Sequence, residues 1–375
     1  MVLALNISIE KEGSIVDVYD KIFALDGGIY ERCIDNRSFA DKHRIAQIKK
    51  QIHQISRELA MWMFENNPEE VSVSHKEYIN ICDQVMCKII TEDVELEQDF
   101  KIGSYFKLIQ HCEGMDAEEL CFIHRSIYEY FVVETICNSI EGAIFELSEE
   151  SQERLAENIA GYLKEGHLTN TIKDYLQYKL LKIYDRLNNE KRARFYLWWE
   201  EAIKKMMNCG MFYYTGDNIQ NYKDIIVKEA QCFINLMEIL RLLIVTSKQE
   251  YIMENTNIHQ LEKYIRLSLM LPQEELISLN KMYLAGINLS GANLISTDSR
   301  KVCFCNANLQ RANLYGLSLL GTDLRGANLE NAGLKGVVID ECQVEYLKKE
   351  YDLQGTIVYI DKTEEIINYE EYCKR

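Results

Sequence analysis

The sequence predicts a mixed fold: a mostly α-helical N-terminal two-thirds with one small β-hairpin, followed by a C-terminal solenoid of very short β sides. Three observations predict it. A five-residue phrase recurs without a slip over residues 282–340. Upstream of it, apolar residues recur at helical spacing over long stretches. Only Pro68 and Pro272 punctuate the 375 residues, which favours long uninterrupted helices and puts Pro272 beside the start of the repeats.

In chain order, the first helix signal is Ser74 with Glu77 three residues on, a capping box. Two strand signals follow at 105–112 and 120–124, joined by a polar turn over 113–119. A helix is predicted next, with Ser126 as its N-cap, Glu129 closing the box, and Tyr130, Phe131, Val133 and Ile136 turned toward a core. Residues 142–280 read as amphipathic helices at 152–164, 171–188, 190–208 and 222–246, with no fixed period of 30 to 50 residues. The dense aromatics Phe195, Tyr196, Trp198, Trp199, Phe212, Tyr213 and Tyr214 are assigned to core and packing surfaces, an exposed partner groove being the alternative. The apolar run 232–245 is broken by Asn235, Glu238 and Arg241 and is too short to span a bilayer, so it reads as a core helix.

The centres of the five-residue phrase are Leu284, Leu289, Leu294, Ser299, Phe304, Leu309, Leu314, Leu319, Leu324, Leu329, Leu334 and Ile339. A step of five on an α-helix turns by about 140°, which scatters the centres around the barrel. An odd step along a straight strand sends alternate centres to opposite faces. A chain that turns a corner after each phrase keeps every centre inside. The residue two before each centre, Ala292, Ala307, Ala312 or Ala327 for example, then shares the interior, while Asn288, Asn293, Asp298, Asn308, Asn313, Asp323 and Asn328 face out. Ser299 breaks the leucine column and needs a partner for its hydroxyl. A short helix over 343–349 and the tail segments 356–359 and 366–372 are placed as a cap over the open end.

Phrases such as Ala292-Asn293-Leu294 and Ala327-Asn328-Leu329 resemble the pentapeptide-repeat family. That resemblance implies a right-handed quadrilateral β-helix with four phrases per coil, here about three coils with Leu289, Leu294, Leu309, Leu314, Leu319, Leu324, Leu329 and Leu334 as the repeat core. Upstream, the phrase Phe122-Ile-His124-Arg-Ser126-Ile-Tyr-Glu129-Tyr130-Phe131 resembles the winged-helix signature of NACHT-type signalling NTPases, the STAND class. Ile127 and the pair Val132-Val133 depart from that signature. The resemblance implies a winged-helix-like module in which His124 contacts the phosphates of a bound nucleotide. It divides the chain into a NACHT-like lid and winged module (1–141), a helical domain (142–280), the repeats (281–341) and a cap and tail (342–375).

Charge and composition narrow the function. A formal charge of −17 opposes binding to nucleic acid or to an anionic membrane surface. The repeats themselves are near neutral, with Asp298, Asp323, Glu330 and Asp340 against Arg300, Lys301, Arg311, Arg325 and Lys335, which argues against an acidic, gyrase-binding DNA mimic. The start of the chain lacks a basic leader, and 12 cysteines without a signal sequence point to reduced thiols in a cytoplasm. Cys303 and Cys305 have no second pair at zinc-ligand spacing, so no metal is assigned. No Gly-x-x-x-x-Gly-Lys phosphate loop occurs, and Asp26-Gly27-Gly28 lacks its lysine. The remaining histidines stand singly, and no catalytic residue or cofactor is named.

The expected function is therefore a non-catalytic protein-interaction or sensor module of a NACHT-like signalling system, antiphage defence included. Its partner is an unidentified protein, with an NTPase core upstream or in trans. Two alternatives stand beside it: a subunit that binds ATP or ADP together with a separate NTPase chain, and a pentapeptide-repeat scaffold with no nucleotide role.

Overall fold

Ser14 starts the first described element by accepting from the Val16 amide, while Asp17 accepts from the Ser14 amide at 3.0 Å, and helix α1 (Ile15–Ile22) follows. The computed structural model describes residues 14–26, 28–30, 42–67, 69–89, 106–110, 118–145, 154, 158–163, 166, 168–209, 222–247, 253, 257–271, 277–295 and 297–374. Both prolines, Gly27, Tyr105, residues 111–117, which hold most of the expected turn, most of the expected 152–164 helix, and Phe212, Tyr213 and Tyr214 lie outside the described residues. The chain forms two compact units, residues 1–187 and 188–375.

The first unit runs α1, α2 (Lys42–Asn66), β1 (Ser72–Ser74), α3 (His75–Ile89), β2 (Phe106–Gln110), β3 (Glu118–Phe122), α4 (Arg125–Phe145) and α5 (Asn170–Arg186). The strands form one antiparallel sheet ordered β1-β3-β2, with Val73 opposite Leu120 and Leu108 opposite Leu120 from the other side. Ser74 caps α3 through the Glu77 amide at 3.3 Å, as its spacing predicts. Helix α4 is the hub. Its residues 127–133 are all buried, together with Thr135, Ile136, Cys137, Ile140, Ala143 and Ile144. A helix apolar around its whole circumference packs on several sides, and α2, α5, α1 and β3 all pack against it.

Two local expectations are corrected here. Ser126 does not cap α4: the helix begins one residue earlier, and His124 sits at the cap, its carbonyl accepting from Ile127 at 3.0 Å and its Nδ1 from the Ser126 amide at 3.2 Å. Histidine presents an acceptor there as serine does, and Ser126, already inside the first turn, turns its hydroxyl elsewhere. The single helix expected over 190–208 is two, α6 (Asn189–Ala193) and α7 (Leu197–Cys209), because the chain turns between them to bury Phe195 completely. Tertiary burial outweighs propensity at that break.

The second unit continues with α8 (Tyr222–Ser247) and α9 (Ile258–Leu269). Trp199 is fully buried and donates its indole N–H to the Leu236 carbonyl at 3.1 Å, tying α7 to α8. Within α8, Ile225–Ser247 is long and apolar enough to cross a membrane, so the judgement that this run is too short is corrected; the helix extends past the apolar run on its N-terminal side. Most of it, 78% of its most apolar window, is buried inside the protein, as a core helix is. Helix α9 leans on the first phrases, with Arg266 donating to the Asn288 carbonyl at 2.6 Å and to the Ser290 carbonyl.

Regular strand is scarce among the repeats. β4 (Ile277–Ser278) and β5 (Thr297–Asp298) pair in parallel, and the remaining pairings are isolated parallel bridges, such as Tyr283 with Cys303, Cys303 with Asp323, and Asn293 with Asn313. Each of these bridges joins residues 20 apart, four phrases along. Amide-to-carbonyl bonds at 2.8–3.2 Å accompany them, from Leu289 to Asn308, Leu309 to Asn328 and Leu314 to Gly333 among others. The expected β sides are not seen as such: among the described residues the repeats carry few strands, and a registered series of single parallel bridges stands in their place. Every phrase centre is buried except Leu334, which is half-buried. Ser299 has its partner. Thr297 donates its only hydroxyl hydrogen to the Leu294 carbonyl at 2.8 Å, so Ser299 donates to Thr297 Oγ1, also at 2.8 Å.

Two features of the phrase come from the structure. The outward Asn or Asp is not merely polar: Asn288, Asn293, Asp298, Asn308, Asn313, Asp323 and Asn328 each accept from the amide two residues on, at 2.9–3.5 Å, closing the corner locally. Among the described residues, the residue two after the centre takes the left-handed conformation, φ +57° to +74°, at both Gly and non-Gly positions such as Lys301, Asn306, Arg311 and Asn331, except after Ile339, where Glu341 begins a helix. At Gly326 glycine is required twice over, since φ is +70° and a Cβ would stand 2.3 Å from Asn306 Oδ1.

β6 (Val338–Asp340) ends the ladder and leads into α10 (Glu341–Leu347), and β7 (Ile357–Ile360) then pairs in parallel with β6 and antiparallel with β8 (Glu365–Asn368), before the last turn α11 (Tyr369–Tyr372). α10 occupies the place of a repeat side. Gln343, nearly fully buried, donates to the carbonyls of Thr322 (2.6 Å) and Leu319 (3.3 Å) and accepts from the Asp340 amide (2.9 Å). Tyr351 likewise donates to the Ala327 carbonyl and accepts from the Leu329 amide. Side chains thus satisfy backbone groups that a further rung would have met.

Candidate functional site

The turn from β3 into α4 brings His124 and Ser126 together. His124 is exposed; its Nδ1 accepts from the Ser126 amide and lies 2.5 Å from Ser126 Oγ, which is in turn 2.5 Å from the Tyr19 hydroxyl. With Nδ1 held as an acceptor, the ring proton belongs on Nε2, which leaves an N–H donor facing solvent at the N-terminus of a 21-residue helix. The other motif residues do different work. Glu129 is buried and pushed up by that burial, which a bond from Thr169 (3.2 Å) and the Arg125 guanidinium (3.6 Å) oppose. Tyr130 donates to Asp20 at 3.0 Å, and burial raises its phenol well above the ordinary range. Phe131 is core, with ring centres 4.8 Å from Phe23 and 5.8 Å from Phe122.

Two polar networks of this unit escape a reading of the sequence. Asp17 and Asp20, one turn apart on α1, face α5: Lys179 donates to Asp20 at 2.9 Å, Tyr178 to Asp17 at 2.5 Å, and Lys182 to Asp17. The i, i+3 spacing of the two acids was the available signal, but nothing local names their partners about 160 residues away. His53, one of the histidines taken as solitary, bridges Tyr30 (3.0 Å at Nδ1) and Glu134 (2.9 Å at Nε2). Burial would raise the Glu134 carboxyl, but the His53 bond with the Lys179 and Arg57 charges outweighs it and holds the group below its ordinary value. Tyr30 is fully buried, so this relay is structural.

On the repeats, the 20-residue register stacks outward side chains into columns. One column carries the exposed Ile295 and Tyr315; another links Gln310 to Glu330 at 2.7 Å. A third assembles chemistry that the sequence keeps apart. Asp323, stacked on Cys303, brings its carboxylate within 4.8 Å of the sulfurs of Cys303 and Cys305. Arg325 binds Asp323 through Nη2 at 2.5 Å and Nε at 2.9 Å, holding that carboxyl well below the usual range, with the Cys305 thiol as a further donor. Burial and the bonds to Asp323 and Cys303 push the Cys305 thiol up to about 12. Cys82, Cys121, Cys137, Cys232, Cys303, Cys305, Cys342 and Cys373 are free thiols.

The family described as "Pentapeptide repeats (8 copies)" matches residues 278–311 and 307–342. No family match supports the NACHT-like reading of the part before it. No curated protein matches the chain, and no solved structure does. The C-terminal region of this chain, residues 278–342, is thus built of pentapeptide repeats, a composition suited to a protein-interaction scaffold.

Proposed function

We propose that the chain is a non-catalytic, cytoplasmic protein-interaction module whose repeats wind as a right-handed, four-sided β-helix and offer their outer columns to a protein partner. The constant 20-residue register carries this reading, because four five-residue sides per turn reproduce it and leave the columns in line. The exposed Ile295 and Tyr315 supply an apolar strip, with Arg311 and Lys335 among the charged residues of the same near-neutral face. Affinity purification from the native cells tests it, comparing the wild-type chain with an Ile295→Asp/Tyr315→Asp variant. A partner retained by the first and lost by the second supports the reading; an identical set of bound proteins refutes it.

A sensor role in a NACHT-like system is the finer part of the proposal. It is supported by the helix–strand–helix–strand–strand order of the first unit, by the β1-β3-β2 sheet that a winged helix also has, and by the free Nε2 of His124. In this reading the NTPase core lies upstream or in a separate chain. Calorimetric titration with ADP and ATP separates it from a plain scaffold: binding that disappears in His124→Ala assigns the nucleotide role, and no binding by the isolated chain leaves the interaction module alone.

A further inference from the structure

We propose that Cys303, Cys305 and Asp323 form a binding site for one thiophilic divalent cation of the zinc class. The three come from two adjacent rungs: the Cys303–Asp323 bridge stacks one residue on the other, and Cys305 follows two residues after Cys303. One ligand atom from each already lies within 4.8 Å of the other two. A tetrahedral ion with metal–sulfur bonds of about 2.3 Å sets neighbouring ligands roughly 3.7 Å apart, so closure takes side-chain movements of about an ångström and no change of the backbone ladder. Cys303 is buried and the other two are half-buried, so the ligands are partly withdrawn from water before an ion arrives.

The donor set decides the class of ion. Two sulfurs and one carboxylate suit zinc and its relatives, whereas magnesium and calcium require six or more oxygens and have only one side-chain carboxylate here. On binding, each thiol releases its proton to solvent, two metal–sulfur bonds form, one Asp323 oxygen becomes the third ligand, and water takes the fourth position. The two thiolates and the carboxylate together carry three negative charges, which a divalent ion and the Arg325 guanidinium, already paired with Asp323, balance. Arg325 then acts from outside the coordination sphere, orienting the carboxylate.

The test uses the full-length, reduced chain with Co2+ as the probe, followed by Zn2+. A thiolate-to-cobalt charge-transfer absorption that saturates at one equivalent and collapses on adding Zn2+ is expected. Cys303→Ser and Cys305→Ser should each abolish it, Asp323→Asn should weaken binding by at least about tenfold, and the exposed-cysteine variants Cys342→Ser and Cys373→Ser should leave it intact. Absence of the band in the wild-type protein, or its survival in the Cys303→Ser/Cys305→Ser variant, overturns the proposal. Should buried Cys303 prove needed for folding, the half-buried Cys305→Ser and Asp323→Asn variants decide it.

Discussion

Replacing Gln343 by methionine, which keeps nearly the same volume, removes three hydrogen bonds at the end of the ladder. The Leu319 carbonyl loses least, since it also accepts from the Thr322 amide at 3.1 Å. The Thr322 carbonyl and the Asp340 amide lose the partners found for them among the described residues, at 2.6 and 2.9 Å. Leaving a buried polar group unmet costs about 1–3 kcal/mol, so two of them predict a local destabilisation of about 2–6 kcal/mol. The loss falls on one of two units, which makes a single global unfolding energy a poor readout. Amide hydrogen exchange resolves it: protection of Asp340, Gly333 and Val338 should drop by the corresponding factor while that of helix α4 stays unchanged. A change below about 1 kcal/mol at Asp340 would refute the idea that the Gln343 side chain stands in for a missing rung.

Three further outcomes follow. Leu309→Ala, at a fully enclosed centre, should cost about 2–5 kcal/mol in the exchange-derived stability of the repeats, and Leu334→Ala at its half-buried centre clearly less. Gly326→Ala should destabilise by about 1 kcal/mol or more through both its φ of +70° and the Asn306 contact, whereas Asn331→Gly, at φ +57° without such crowding, should be neutral or mildly stabilising. For the first unit, Glu134 has a folded value below its ordinary 4.5, so its contribution is complete above that pH and lost as the pH falls through the lower, folded value. Circular-dichroism melts between pH 7 and 3 should therefore show an acid-sensitive increment that His53→Gln removes.

How far the sequence discloses this protein depends on whether a contact is local. The repeats are legible because each phrase carries its own instructions: an apolar centre, a small residue two before it, and an Asn or Asp whose carbonyl or carboxyl oxygen closes the corner. The glycine-rich position after each centre was equally visible as a five-residue recurrence, yet its left-handed role emerges only from backbone angles. The Cys303–Asp323 juxtaposition follows from the 20-residue offset that the parallel bridges share; counting zinc-ligand spacing along the chain misses it because the third ligand lies one rung away. Helix α4 was readable as a helix but not as one buried all round, because its burial depends on α1, α2 and α5 arriving from distant segments. Gln343 and His53 illustrate the same limit: their partners are set by tertiary packing, and neither has a local motif.

The ladder's fixed offset constrains how this surface can be remodelled. Removing one residue between Leu289 and Leu309 would break the match of Asn288 with Asn308 and expose a leucine where a corner belongs. Excising or duplicating a block of 20 would instead preserve every alignment above and below it. The outer surface of the repeats can therefore grow or shrink only in whole storeys of 20 residues, while exchange of a single outward side chain leaves the leucines beneath undisturbed.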